Sequence, residues 1–247
     1  MKNIFIANMY RILKNWIYIL GCIIAFGATY IFTANLAGMT GRFGEMGCDR
    51  RMIFISFAMV GFYTIFVPLN TNAEYRDGTI RNKLIAGFSQ KEVYLGVLFS
   101  HIASLGIMEI CYFIAGIIGG AAVNGGLFTK NIIMFLAISG YISVLELIAM
   151  RVRKTVFVAI FAFIILNLSD NIVLIGNFLL AFVLKGNAFI VGRIIYNISV
   201  MGQWINQIGF ADEKNNPGPG IQMIISISVI LITVFLGTLR INKRDLR

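Results

Sequence analysis

Five apolar runs of bilayer length, and a sixth that is interrupted, leave this chain few folds to choose from. About 20 apolar residues cross the hydrocarbon as a helix, which pairs every backbone amide and carbonyl within one segment. The near-continuous runs cover about residues 16–36, 52–69, 93–118, 131–150 and 221–239, and the interrupted one begins at 155. Composition decides the class: 58% of the 247 residues are hydrophobic and only 13% charged, against roughly 25% charged in a soluble domain. The net charge of +10 is therefore read as the Lys/Arg excess of cytoplasmic membrane loops, with no nucleic acid as partner.

In residues 1–15, Ile4, Phe5, Met9, Ile12 and Leu13 share a helical face and Lys2, Arg11 and Lys14 lie elsewhere. That pattern suits a helix in the membrane interface ahead of the first span. No small-residue cleavage site closes the run that follows, so it is read as a span and not as a signal peptide. The first span, 16–36, carries Trp16 and Tyr18 at its interfacial end, and the second, 52–69, has Pro68 near its exit. Spans three, four and six are 93–118, 131–150 and 221–239. The fifth, 155–174, is interrupted by Asn167, Ser169, Asp170 and Asn171. The region 175–220 is semi-apolar and punctuated by Lys185, Arg193, Asn197, Gln203 and Asn206. Short re-entrant helices on the outer side fit it, and so do two extra crossings; short, Asn-interrupted segments favour the first.

Basic residues set the orientation. Lys2, Arg11, Lys14, the four from Arg76 to Lys91, the three from Arg151 to Lys154 and the four from Arg240 to Arg247 fall on one side. Half as many fall on the other, namely Arg42, Arg50, Arg51, Lys130, Lys185, Arg193 and Lys214. The expected fold is an all-α integral membrane protein: one domain of six transmembrane helices, both termini cytoplasmic, with short re-entrant helices between spans five and six.

The longest polar interval, 71–92, lies on the basic side. Thr71 with Glu74, and Ser89 with Glu92, have capping-box spacing, in which a hydroxyl takes the N3 amide and the carboxylate reaches back to the cap amide. Gly87 suits the left-handed residue after a helix end. These signals predict a cytoplasmic helix over 72–86, a break at Gly87 and Phe88, and a second helix from Ser89 into the third span. Glu74, Tyr75, Arg76, Asp77, Thr79, Arg81 and Lys83 give the first helix mixed charge. Gly78 in its middle costs about 1 kcal/mol relative to alanine and marks close approach of another backbone. Together these features read as a docking surface.

Absences narrow the chemistry. There is no P-loop, no HExxH and no GxSxG motif, and Cys22, Cys48 and Cys111 have neither metal-ligand nor CxxC spacing. No catalytic residue, metal site or cofactor is expected on this chain.

The segment EYRDGTIRNKLIAGFSQKEVYLGVL resembles the stretch between the second and third spans of ABC-2 type exporter permeases. The shared pattern is Glu74, then Gly78 and Thr79, then Gly87 and Ser89 at the step into the next span. Gln90 stands where a basic residue is common, with Lys91 next. The basic ending Lys243-Arg244-Asp245-Leu246-Arg247 is also typical of that family. The resemblance implies a permease of the bacterial cytoplasmic membrane whose 72–86 segment is a coupling helix. It implies separate ATP-binding cassette subunits, which hold the ATP and magnesium, and a second permease chain, identical or not. It also implies outward transport of an amphipathic substrate, with a peptide, exported or held off as an immunity function, favoured by the small loops.

His101, Glu109 and Glu146 lie inside spans, where an ionisable side chain is a functional-site candidate by default. At 1.5 Å per residue Glu109 stands about 24 Å above the start of its span, His101 about 12 Å, and Glu146 about 7 Å above the end of its own. Glu109 and Glu146 therefore cannot pair. His101 and Glu146 are within reach of each other, although a basic neighbour could also take Glu146. All three are candidates for a translocation path, Glu109 foremost, and Asp170 is expected to cap a short helix. The alternative function is an ATP-independent secondary transporter or channel working through Glu109 and Glu146.

Overall fold

The apolar runs fold as helices, and helix is the only regular structure among the residues described. A computed structural model describes residues 1–239 apart from Arg153 and the side chain of Arg42. Arg153 and the basic carboxy-terminal ending used above lie outside the described residues. In chain order the helices are α1 (Lys2–Leu13), α2 (Trp16–Thr33), the short α3 (Gly41–Gly44), α4 (Cys48–Arg76), α5 (Thr79–Ile85), α6 (Gln90–Ile118), α7 (Gly125–Ala149), α8 (Thr155–Phe178), α9 (Gly186–Ile198), α10 (Val200–Ile208) and α11 (Pro219–Thr238). A wider turn, Leu179–Val183, continues α8.

Six of these, α2, α4, α6, α7, α8 with its wider turn, and α11, are long and apolar enough to cross a membrane. The chain is a multi-pass membrane protein. The helices α7 and α4 form its centre, with 67% and 61% of their apolar windows buried, whereas α2, α8 and α11 bury only 22–28% and face outward.

Contacts between chain-distant residues fix the two ends of the bundle. At one end Lys83 Nζ donates to Asn8 Oδ1 at 2.8 Å, the Tyr75 hydroxyl to the Met150 carbonyl at 3.0 Å, and Arg151 to the Leu236 carbonyl at 2.6 Å. So α1, α5, the α7–α8 turn and the close of α11 share this end. At the other end the Ala122 amide donates to Asp49 at 3.0 Å, and Phe43 packs edge-on against Phe210.

The helix α1 does more than lie on a surface. Ile4 and Ile12, eight residues apart, and Asn8 between them are its buried positions. Ile4 joins Ile80, Val93 and Val97 in a small core at the α5 end.

The sequence reading of 72–86 as a separate helix needs correction. The second span does not end near Pro68. The helix α4 runs through that proline to Arg76, 29 residues, and α6 is equally long. Each is about 43 Å, so each overshoots a hydrocarbon core of roughly 30 Å. The polar interval is thus the protruding ends of two spans joined by the seven residues of α5.

Gly78 makes the first turn of this elbow at φ 68° and Gly87 the second at φ 92°. A left-handed backbone costs an L-residue roughly 1–2 kcal/mol, which glycine avoids. A Cβ on Gly78 would meet no atom within 4 Å, so the glycine serves the turn and not a close backbone approach. The fourth span also starts earlier than expected, at Gly125, behind an Asn124 side chain that accepts the Leu127 amide.

Asp170 caps nothing. The helix α8 continues through the polar cluster, because Asn167 and Asn171 turn their amides back to the carbonyls of Phe163 and Asn167, at 2.9 and 2.8 Å. After α8, α9 and α10 form a V with an angle of 96°. With 13 and 9 residues, at about 20 and 14 Å, neither arm alone is long enough to cross.

Candidate functional site

The elbow is organised by one carboxylate. Glu74, on the last turn of α4, is only 1% exposed. Its Oε2 lies 2.7 Å from Lys83 Nζ of α5 and its Oε1 3.2 Å from Arg11 of α1. Lys83 is itself shared with Asn8 of α1. A single buried acid therefore ties three helices, and the low dielectric around it makes each of these contacts stronger than a surface pair. Ser89 caps α6, accepting the Glu92 amide at 3.2 Å while its own amide donates to Glu92 at 2.9 Å. The ammonium of Met1 sits 3.3 Å from Glu92 with both groups about half exposed, a pair of the kind that adds little.

Of the residues expected on the docking surface, Glu74, Lys83 and Tyr75 point inward, and Gly78 and Thr79 are half-buried. Arg76, Asp77 and Arg81 remain exposed. They are joined by one that the charge pattern missed, Ile85, 73% exposed. An isoleucine four residues after Arg81, and so on the same helical face as that arginine, is the signal that could have identified it. A cleft of about 880 Å³ opens next to this face, between α5 and the start of α8, bordered by Tyr75, Arg76, Arg81, Lys154 and Phe157.

About one turn back along α4, at Thr71, a second buried acid makes a second knot. Glu146 of α7 and His101 of α6 are both 0% exposed, and Glu146 Oε2 is 3.0 Å from His101 Nδ1. Thr71 of α4 donates its hydroxyl to the same carboxylate, at 2.9 Å to the nearer oxygen. Thr71 is thus not a helix cap. It sits inside α4, and its hydroxyl goes to a residue 75 positions away. The Asn70 amide approaches His101 Nε2 at 3.0 Å, which makes that nitrogen the acceptor and leaves the ring proton on Nδ1, facing Glu146. All the polar atoms of this knot find partners, so it needs no ligand; it joins α4, α6 and α7 at one depth.

Glu109 does not belong with this pair. It lies two turns further along α6, in a groove between α6 and α7 bordered by Asn131 and Phe135. The three residues taken together as a translocation path are thus in two separate places.

Sequence reasoning also missed an amide network at the V. Where the helix breaks at Ser199, Gln203 Nε2 donates to the Asn197 carbonyl at 2.8 Å and to Ser226 of α11 at 2.9 Å. Asn206 and Gln222 both donate to Asn197 Oδ1, and Gln207 to Gln222 at 2.6 Å. Gln203 thereby pairs a backbone carbonyl at the break that lipid would leave unpaired, and the other amides pair with one another. The one-face spacing of Gln203, Asn206 and Gln207, repeated by Gln222 and Ser226, was the signal available in the sequence.

Among the described residues no group of three or more His, Cys, Asp or Glu side chains could hold a metal ion. No protein-family model, curated protein or solved structure matches this chain.

Proposed function

We propose that this chain is the permease subunit of an ABC-2 type exporter, moving an amphipathic substrate, a peptide by preference, across the bacterial cytoplasmic membrane. ATP is hydrolysed on a separate cassette subunit. The observation that carries the reading is the elbow. Its outer face offers Arg76, Asp77, Arg81 and Ile85 to a partner, while Glu74 and Lys83 fix it from inside to α4 and α1. The cleft with Arg76, Arg81 and Lys154 suits a partner surface carrying carboxylates. The Lys/Arg excess at this end supports placing it in the cytoplasm.

Force applied to α5 passes into α4 through the Lys83–Glu74 pair, and the Glu146–His101–Thr71 knot makes α6 and α7 follow. The moving seam lies along α8. Asn167, Asp170 and Asn171 stand exposed near the middle of that outward-facing helix, where bare lipid is a poor solvent for them. A second permease chain covers that face, and the substrate passes along the seam. The V of α9 and α10 enters from the outer side, pinned by its amide network, and turns back. The rival reading, a secondary transporter using Glu109 and Glu146, is weakened by their separation and by the complete enclosure of Glu146.

Purification of the tagged full-length chain from its native membranes in mild detergent, followed by native mass spectrometry, tests the reading. A cassette ATPase and a second permease chain are expected in the complex. A chain that elutes alone and moves solute in liposomes without ATP overturns it.

A further inference from the structure

The cleft beside the elbow holds cations for which the chain supplies no anion. Arg76 is paired with Asp77 at 3.2 Å. Arg81 of α5 and Lys154, at the start of α8, border the same cleft of about 880 Å³ and are exposed. Neither has an acidic partner among the described residues. The nearest feature to Lys154 Nζ that stands out is the ring of Phe157, 5.9 Å away.

Depth places this cleft at the edge of the bilayer. From Met52, just past the charged start of α4, to Asn72 is about 30 Å along the helix, which matches a hydrocarbon core of roughly 30 Å. Asn72 borders the cleft and accepts the hydroxyl of Thr155, so the first turn of α8 stands at headgroup level. An apolar stripe begins there. Phe157, Phe161, Ile164 and Leu168, at i, i+4, i+7 and i+11 of α8, are all exposed. They lie about a quarter turn around the helix from Asn167 and further from Asp170.

We propose that this cleft binds the headgroup of an anionic phospholipid. The phosphate faces Arg81 and Lys154, and an acyl chain lies along the stripe from Phe157 to Leu168. Cations at the surface of a bilayer attract anionic lipids, and a cleft of this volume admits a whole headgroup. A soluble anion has no use for the stripe. A zwitterionic head brings an ammonium that the same cations repel, and a fatty acid brings a carboxylate that fills little of the cleft. The inference goes beyond the exporter reading and needs only the chain and a bilayer. A carboxylate of a cassette subunit would seek the same cations, so lipid and subunit compete, and the lipid holds the cleft when the subunit is absent.

The test uses the full-length chain, delipidated in maltoside detergent and free of other subunits, so its outcome is separate from that of the exporter reading. It is titrated with dioleoylphosphatidylglycerol or dioleoylphosphatidylcholine, and lipid-bound species are counted by native mass spectrometry. One phosphatidylglycerol is expected to bind at least about tenfold more tightly than phosphatidylcholine, because each surface cation adds about fivefold and the cleft has two to spare. Arg81→Ala with Lys154→Ala, both exposed, is expected to abolish that preference, and Arg81→Lys with Lys154→Arg to keep it. Lys2→Ala with Lys91→Ala removes the same charge from exposed residues at the same end and is expected to keep it as well. Equal retention of the two lipids, or a preference that survives Arg81→Ala with Lys154→Ala, overturns the proposal. So does a preference lost equally in the Lys2 and Lys91 pair, which marks diffuse attraction to a basic surface. Displacement of the lipid by millimolar inorganic phosphate, or by equimolar oleate, marks a site for a small anion or a fatty acid and overturns it too.

Discussion

Glu146→Ala is expected to lower the unfolding free energy by about 3–5 kcal/mol, the largest effect of any single substitution in the bundle. The substitution removes the acceptor shared by His101 Nδ1 and the Thr71 hydroxyl, both fully buried, and leaves two donors facing a cavity. Removing one partner of a buried network is worse than removing all of it, because the survivors keep their desolvation penalty. The double variant Glu146→Leu with His101→Leu is therefore expected to be more stable than Glu146→Ala alone. Thr71 can then return its hydroxyl to its own helix, as serine and threonine do in helices. Reversible unfolding in mixed micelles, read for wild type, each single variant and the double, measures the coupling directly. If Glu146→Ala falls within about 1 kcal/mol of wild type, the knot does not hold α4, α6 and α7 together.

Glu74→Ala is expected to loosen the elbow while sparing the bundle. Lys83 loses its nearer partner at 2.7 Å and Arg11 the acid 3.2 Å from its guanidinium. Arg11 is partly exposed and Lys83 keeps Asn8, so the loss is smaller than at Glu146, about 2–3 kcal/mol. It is also local. Hydrogen exchange at the amides of α5 is expected to speed up by about thirty- to a hundredfold, with α7 unchanged. Glu74→Gln, which keeps one acceptor oxygen and loses the charge, falls between. If α5 exchanges at the wild-type rate in Glu74→Ala, the account of a single carboxylate tying three helices is wrong.

The six spans were legible in the sequence because bilayer length is a coarse demand and apolar runs meet it without any knowledge of packing. The Ser89–Glu92 capping box was legible for a similar reason: its partners are three residues apart and the contact is local. Thr71 and Glu74 have the same spacing and a different fate. Thr71 finds Glu146 and Glu74 finds Lys83 and Arg11, all far along the chain or across a turn, so α4 never stops to be capped. Local spacing cannot register such a competition. Gly78 shows the same limit, since a glycine that permits close approach and one that permits a left-handed turn look alike in sequence. Depth arithmetic brought His101 and Glu146 to one level, because rise per residue is fixed. It said nothing of the direction in which Glu109 points around α6, which decides that it faces the groove beside Asn131. The break expected at Asp170 failed because asparagine amides can bond back to the helix that carries them.

The central claim is that the exposed face of the elbow receives the energy of a separate ATPase. It is tested most directly by reversing two charges, Arg76→Glu with Arg81→Glu, in the full chain isolated from its own membranes. Both side chains are exposed and the internal ties through Glu74 are untouched, so the variant is expected to fold and insert as wild type does. The predicted result is loss of the cassette ATPase from the purified complex, and with it loss of ATP-driven transport in liposomes. Undiminished recovery of that subunit, with substrate-stimulated ATPase activity intact, would contradict the account.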